Sequence, residues 1–126
     1  MSGVVVKSVD ETVVRREMDA WADRLLAGHP EVEEIVVFGS FAEGNWAPGS
    51  DLDVFIVLSA SPKPVRDRIP DLLPGPFPVG VDLFPYTREE IAARTPALLL
   101  DAVARSRWRY ARRSASSPGT TGRGGG

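Results

Sequence analysis

The chain has 126 residues, of which 43% are hydrophobic and 25% charged, a composition typical of one globular domain. It contains no cysteine and one histidine, which excludes disulfide bonds, thiol catalysis and zinc sites with several His or Cys ligands. No apolar run approaches the ~20 residues of a membrane-spanning helix, and the first residues do not resemble a secretory signal. These features favour a cytoplasmic protein that makes no membrane contact.

Charge is distributed unevenly along the chain. Residues 1–60 contain 11 acidic and 4 basic residues, whereas residues 61–126 contain 6 acidic and 11 basic residues, for an overall net charge of −2. A near-neutral chain does not attract nucleic acid through its overall charge. Nucleic-acid binding is therefore not expected.

The first predicted element is a helix over residues 8–28. Ser8 and Glu11 have the spacing of a capping box, and Gly28 is the type of residue at which helices end. Apolar side chains at helical spacing would give the helix one buried face, formed by Val14, Met18, Trp21 and Leu25.

A strand, a short helix and a second strand are predicted next. Residues 32–38 are rich in Val, Ile and Phe, which indicates a buried strand. Ser40 and Glu43 again have capping-box spacing, so a short helix is predicted from Ser40. The second strand, at residues 51–58, opens with two aspartates and is otherwise apolar.

The second half of the chain is predicted to alternate between helices and strands. The proline-rich segment 61–78 is expected to be mostly loop, with a short helix near 65–73. The later predicted elements are a strand at 79–84, a helix capped by Thr87 and Glu90, a helix starting at Thr95-Pro96 and an edge strand at 107–111. Residues 1–113 would form one domain, and the Ser/Gly-rich residues 114–126 a disordered tail.

Three aspartates lie where a carboxylate is costly. Asp51 and Asp53 are two residues apart on an apolar strand and so face the same way, and Asp82 lies within another apolar strand. If the two strands are neighbours, the three carboxylates converge. At ~5 Å and an effective dielectric constant of ~20, each like-charged pair costs roughly 3 kcal/mol. A hard divalent cation is the usual compensation.

A possible phosphate site precedes the aspartates. Gly39 would allow a ligand to approach the backbone closely, and Ser40 would offer a hydroxyl at a helix start, where free amides favour an anion. Each fragment alone has an ordinary structural explanation, as a turn, a loop-end carboxylate or an arginine partner. Their order in the string GSFAEGNWAPGSDLD, followed by a later aspartate, favours a functional site.

This string resembles the signature of the minimal nucleotidyltransferases of the DNA polymerase β superfamily. The resemblance covers about residues 15–112 and implies an α+β fold: a small mixed β-sheet with helices packed mainly on one face. It implies that Asp51, Asp53 and Asp82 are the catalytic residues and ligands of two Mg²⁺ ions. It further implies that ATP is the substrate and that its nucleotide is bound by Gly39, Ser40 and Ser50.

The resemblance also suggests an acceptor. Small stand-alone relatives are antitoxin partners of HEPN-domain toxins, so this chain would transfer AMP from ATP to a tyrosine hydroxyl of such a toxin, within a homo- or hetero-oligomer. The alternatives are a small-molecule transferase of the aminoglycoside type and an antitoxin that acts by binding alone. A length of 126 residues leads us to expect that the acceptor supplies part of the binding surface.

The sequence departs from the family pattern at Glu43, where many relatives carry a basic residue. Arg66, Arg68 or Arg88 could supply the positive charge instead. The basic segment 105–113 has two interpretations, a contact surface for an acidic partner or a solvated edge strand.

Overall fold

The computed structural model describes residues 10–112, and the predicted tail at 114–126 lies outside this range. The helices of this range are α1 (Glu11–Gly28), α2 (Ser40–Glu43), α3 (Val65–Leu72), α4 (Arg88–Arg94) and α5 (Ala97–Arg105). Its strands are β1 (Val32–Phe38), β2 (Leu52–Leu58), β3 (Val81–Thr87) and β4 (Trp108–Ala111). None of the helices in residues 10–112 has the length and apolarity needed to cross a membrane.

The strands form one mixed sheet in the order β3-β2-β1-β4. β1 pairs antiparallel with both β2 and β4, while β2 and β3 are parallel. The predicted α+β class with a small mixed sheet is therefore confirmed. Because β1 and β2 are antiparallel and β3 follows the direction of β2, the end of β1 lies beside the beginnings of β2 and β3.

Helices cover both faces of the sheet. The larger apolar cluster joins α1, α2 and α3 to one face, on which Ile35, Val54 and Ile56 lie. The smaller cluster joins α4 and α5 to the opposite face, through residues that include Val36 and Phe55. The predicted main helical face thus carries three of the five helices in the described range. The second face is also covered, because β1 and β2 carry apolar side chains on both sides.

The start of α1 differs from the predicted start at Ser8, a residue outside the described range. Asp10 is the N-cap, with extended backbone angles, and its carboxylate accepts a hydrogen bond of 2.9 Å from the Thr12 amide. Aspartate is among the strongest N-cap residues, which explains why the helix begins at Glu11.

The strand predicted at 79–84 lies later in the chain, at Val81–Thr87, and contains Pro85. Proline is tolerated there because β3 is an edge strand of the sheet. The buried Arg68 guanidinium donates one hydrogen bond to the Pro85 carbonyl, at 2.8 Å, and two to the Glu90 carboxylate, at 2.7 and 2.8 Å. Arg68 therefore links α3, β3 and α4.

The ends of α4 and α5 confirm one prediction and correct another. The capping box between Thr87 and Glu90 is present at the start of α4. Thr95, predicted to cap α5, instead follows the last turn of α4, where its hydroxyl donates to the Glu90 carbonyl. Pro96 is the N-cap of α5, one residue later than predicted.

Candidate functional site

The three predicted aspartates lie at one end of the sheet, on the face covered by α4 and α5. Asp53 pairs in register with Phe38 of β1 on one side and with Asp82 of β3 on the other. Asp51 directly precedes β2 and lies two residues before Asp53, so it projects from the same face. The strand order thus places Asp82, which is distant in the sequence, beside the pair formed by Asp51 and Asp53.

The protein environment disfavours the charge of Asp53. Burial is the main cause, and the nearby carboxylates of Asp82 and Asp51 add to it; together they raise the pKa of Asp53 to about 6. The surroundings are apolar, since Phe38 lies opposite Asp53 and packs edge-on against Phe84 with ring centroids 5.3 Å apart. Asp53 therefore lies in surroundings that favour its neutral form.

Two glycines provide the space that the carboxylates occupy. A Cβ atom at Gly39 would collide with Oδ2 of Asp53, and a Cβ atom at Gly80 would collide with Oδ1 of Asp51. Gly39 follows β1 and Gly80 precedes β3, so the two carboxylates lean in opposite directions across β2. Any larger residue at either glycine would displace a predicted ligand.

The three carboxylates are the type of ligand that binds a divalent cation, although they are not gathered into a complete metal site. Carboxylate oxygens are the ligands that Mg²⁺ prefers, and no described residue forms an ion pair with Asp51, Asp53 or Asp82. Within residues 10–112, no three acidic or histidine side chains are gathered closely enough to complete a metal site.

The predicted phosphate-binding segment, Gly39 and Ser40, has the expected short helix but not the expected helix cap. A short helix does begin at Ser40, but Gly39 is its N-cap, and the predicted capping box is absent. Glu43 instead faces Arg105, with an N–O distance of 3.4 Å. A helix of four residues has little macrodipole, so any attraction for phosphate here comes from individual amides and the Ser40 hydroxyl.

Gly39 has backbone angles that other residues rarely adopt. Its φ is 79° and its ψ is −153°, a region that is essentially restricted to glycine. This conformation turns the chain sharply from β1 into α2 and leaves the backbone bare beside Asp53.

Ser50 has a local structural role. Its hydroxyl accepts a hydrogen bond of 2.9 Å from the Ala47 amide, and its own amide donates to the Ala47 carbonyl. These bonds close the turn that leads directly into Asp51. Ser50 therefore orients the loop before β2, whether or not it also contacts a nucleotide.

A cavity of about 420 Å³ lies beside Gly39, the residue whose backbone is close to the Asp53 carboxylate. It lies between α2 and the end of α5, and its lining consists of Gly39, Ala42, Glu43, Ala102, Arg105, Ser106 and Arg107. Gly39 belongs both to this lining and to the contact surface of Asp53. The sequence does not assign Arg105 and Arg107 to the site, although both lie in the basic segment 105–113.

The arginines considered from sequence as phosphate contacts lie elsewhere. Arg68 is buried and its guanidinium is fully engaged by Glu90 and backbone carbonyls. Arg88 follows the far end of β3 and pairs with Glu33. Arg66 is exposed on α3, beyond the far end of β2. None of the three lines the 420 Å³ cavity.

Comparisons with known proteins bear on the family and the fold. The profile of the nucleotidyltransferase domain family matches residues 19–100, more than half of the chain. The fold is similar to a crystal structure of a candidate nucleotidyltransferase from Sulfolobus solfataricus, with a TM-score of 0.54 and 17% identity over 80% of each chain. At that identity the likeness concerns the fold alone. No curated protein sequence matches the chain significantly.

Proposed function

Because the chain belongs to the nucleotidyltransferase domain family, we propose that it transfers AMP from ATP to a hydroxyl group of an acceptor, with the help of magnesium. The observation that carries the proposal is the register of the sheet. Asp53 and Asp82 occupy paired positions on neighbouring strands, and Asp51 projects from the same face. Acids on adjacent strands, with no cationic partner among the described residues, are suited to binding divalent cations.

In this proposal, Asp51, Asp53 and Asp82 hold the magnesium. When bound, two magnesium ions would lower the pKa of the acceptor hydroxyl and offset the charge of the pyrophosphate leaving group. The acceptor oxygen attacks the α-phosphorus, the bond to the oxygen bridging the α- and β-phosphorus atoms breaks, and pyrophosphate leaves. The hydroxyl proton passes towards the Asp82 carboxylate, which is exposed at the edge strand.

Gly39 and Ser40 are proposed to bind the phosphates. The bare Gly39 backbone adjoins both Asp53 and the 420 Å³ cavity, so a triphosphate there would place its reacting phosphorus near the carboxylates. Ser40 is half-buried at the first position of α2 and would add a hydroxyl donor. Holding the reactants in line is the main catalytic contribution of the protein in this kind of reaction.

We further propose that the acceptor is a tyrosine of a HEPN-type toxin, bound as a hetero-oligomer in the cytoplasm, where ATP is available. Asp51 and Asp82 are both exposed, so a side chain of another protein can reach them. The resemblance to stand-alone antitoxin transferases supports this choice of acceptor.

The direct test incubates the purified protein with Mg²⁺, α-labelled ATP and the product of the neighbouring gene. Transfer would label the acceptor protein, and Asp51→Asn with Asp53→Asn should reduce labelling to background because two of the three carboxylates become neutral. Asp23→Asn is the matched control, since Asp23 is an exposed acid on α1.

Labelling that persists in the double variant would contradict the metal site. If the wild-type protein labels a small hydroxyl compound such as an aminoglycoside but no protein, the class of acceptor is wrong. If the wild-type protein binds the neighbouring gene's product and labels neither, it acts by contact alone, and the proposed transfer is wrong.

A further inference from the structure

The connection between α5 and β4 places two arginines in the cavity beside Gly39. Arg105 is the last residue of α5, and Arg107 precedes β4. Ser106 lies between them and fixes the connection: its hydroxyl donates to the Val37 carbonyl of β1 at 2.5 Å and accepts from the Trp108 amide at 3.1 Å. Val37 is two residues before Gly39, so this contact holds both arginines near the end of β1.

A second contact restrains the same connection. The Arg109 guanidinium donates to the Ser106 carbonyl at 2.6 Å and to the Val103 carbonyl at 3.2 Å. It also pairs with Glu34 of β1 at 2.9 Å. The end of α5 is therefore attached to the sheet by side chains other than Arg105 and Arg107. Those two arginines are not needed to hold the connection in place.

Both cavity arginines are available to a ligand. Arg107 is exposed and forms no ion pair with any residue from 10 to 112. The Arg105 side chain is 65% exposed, and its contact with Glu43 is a single one of 3.4 Å. Exposed ion pairs of this kind contribute little stability, so a highly charged ligand can displace them.

We propose that Arg105 and Arg107 bind the triphosphate of the nucleotide, and that Glu43 holds Arg105 until the nucleotide replaces it. This inference rests on the proposed function and identifies the positive charge that the acidic Glu43 cannot supply. Arginine binds phosphate oxygens through several N–H groups at once, and two arginines in one cavity match an extended anion. Gly39 links this cavity to the aspartates, because it lines the cavity and also lies close to the Asp53 carboxylate.

The test measures nucleotide affinity by isothermal titration calorimetry in the presence of Mg²⁺. Arg105→Ala with Arg107→Ala should weaken ATP binding at least tenfold, and should change adenosine binding less than twofold, because only the phosphate contacts are removed. Glu43→Gln should tighten ATP binding several-fold, since it frees Arg105 and removes a charge that repels phosphate. Arg24→Ala with Arg66→Ala is the control, which removes the same charge from two exposed positions away from the cavity.

Equal ATP affinity in the cavity variant and the control would overturn the proposal. An affinity that is unchanged or weaker in Glu43→Gln would overturn the exchange of Glu43 for phosphate. A melting temperature for each variant shows whether the fold is intact. If the cavity variant does not fold, Arg105→Gln with Arg107→Gln replaces it, with the same expected loss.

Titration with inorganic tripolyphosphate in EDTA separates this inference from the proposed transfer. Binding that depends on both arginines would support the phosphate site even if no acceptor is ever labelled. Conversely, a protein that labels its acceptor yet keeps full ATP affinity without the arginines would refute only the present inference.

Discussion

Asp53 is held in surroundings that oppose its negative charge. It is half-buried, lies opposite Phe38 and has Asp82 beside it on the next strand. Folding therefore raises the pKa of this carboxyl from 3.8 to about 6. Such a cost is common at functional sites, where a ligand rather than the protein supplies the compensating charge.

The unfavourable negative charge of Asp53 in the folded protein predicts how Asp53→Asn changes stability with pH. Below pH 4 the carboxyl is neutral in both the folded and unfolded states, so its charge costs nothing. Between about pH 4 and 6 the unfolded state ionises first, and wild-type stability falls as pH rises. Asp53→Asn should therefore raise the melting temperature above pH 6, measured in EDTA, and the gain should disappear below pH 4.

The control for this prediction is a variant of an acidic residue that is exposed to solvent. Asp23→Asn, on the exposed side of α1, should show no gain that develops between pH 4 and 6. A stabilisation by Asp53→Asn that is equally large at pH 3.5 and pH 7.5 would mean that packing, rather than charge, is responsible.

Gly39→Ala should disturb both the backbone and Asp53. The backbone angles of Gly39 are restricted to glycine, which costs roughly 1–3 kcal/mol for another residue. The new methyl group would also push the Asp53 carboxylate from its position. We expect a loss of about 2–3 kcal/mol in urea unfolding, together with loss of nucleotide transfer.

Gly44→Ala separates the two effects. Gly44 has a left-handed conformation, with φ at 83°, but a Cβ atom there would meet nothing within 4 Å. It should cost about 1 kcal/mol from the backbone alone and leave transfer intact. If Gly39→Ala and Gly44→Ala behave alike, the close contact between Gly39 and Asp53 is not important.

The helices α3 and α4 are joined to the edge strand β3 by one buried cation. Arg68 is 4% exposed, and its two terminal nitrogens both bind Glu90. This contact lowers the pKa of Glu90 to about 2, chiefly through the hydrogen bonds from Arg68. Glu90 also completes the capping box of α4, so one carboxylate serves both elements.

Glu90→Gln should destabilise the protein at neutral pH by about 2 kcal/mol, because it leaves the buried Arg68 charge uncompensated. Glutamine can keep Oε1 as the acceptor for the Thr87 amide, but its NH2 group cannot accept from Arg68, so the change removes the charge and one hydrogen bond to Arg68. The pKa of Glu90 is lowered from 4.5, so its stabilising effect is full above that pH and declines as pH falls towards 2. Urea unfolding at pH 6 and at pH 3 should show the difference between the variant and wild type shrinking.

Glu89→Gln makes the same charge change at the preceding, exposed position of α4. It should alter the urea midpoint only slightly at either pH. The difference in unfolding free energy between Glu90→Gln and wild type could instead stay constant from pH 6 to pH 3. That result would show that the contact with Arg68 does not lower the pKa of Glu90.

Elements with local signals were predictable from the sequence. The capping box at Thr87 and Glu90 depends on residues three apart, and the structure contains it. The boundaries of β3 were not predictable in the same way, because Pro85 normally breaks a strand. Its place in β3 depends on the edge position and on Arg68, which comes from a distant helix.

The acidic part of the site was more predictable than its basic part. Period two aligns Asp51 with Asp53, and an acid within an apolar strand identifies Asp82 before the strand order is known. Arg105 gives no such signal, because only the packing of α5 against the sheet and the Ser106 hydroxyl bring it near Gly39. The sequence likewise does not place Arg68, since its burial depends on contacts from β3 and α4.

The sheet as a whole concentrates the site at one end. β1 ends where β2 and β3 begin, so Gly39, Asp51 and Gly80 lie side by side although the sequence separates them. The opposite end holds different contacts, such as the ion pair between Arg88 and Glu33. Substitutions at that end should affect stability more than nucleotide transfer.

The contact between Arg68 and Pro85 also bears on self-association. The amide N–H and carbonyl of a strand residue point to the same side, and the Pro85 carbonyl faces outward to Arg68 rather than to β2. At this point the outer edge of β3 has no N–H to donate, and its carbonyl is already occupied. A strand from another chain would therefore find neither a free N–H nor a free carbonyl at Pro85 with which to form β-sheet hydrogen bonds. The β3 edge of the sheet is thereby protected at this position against strand addition and the aggregation that follows from it.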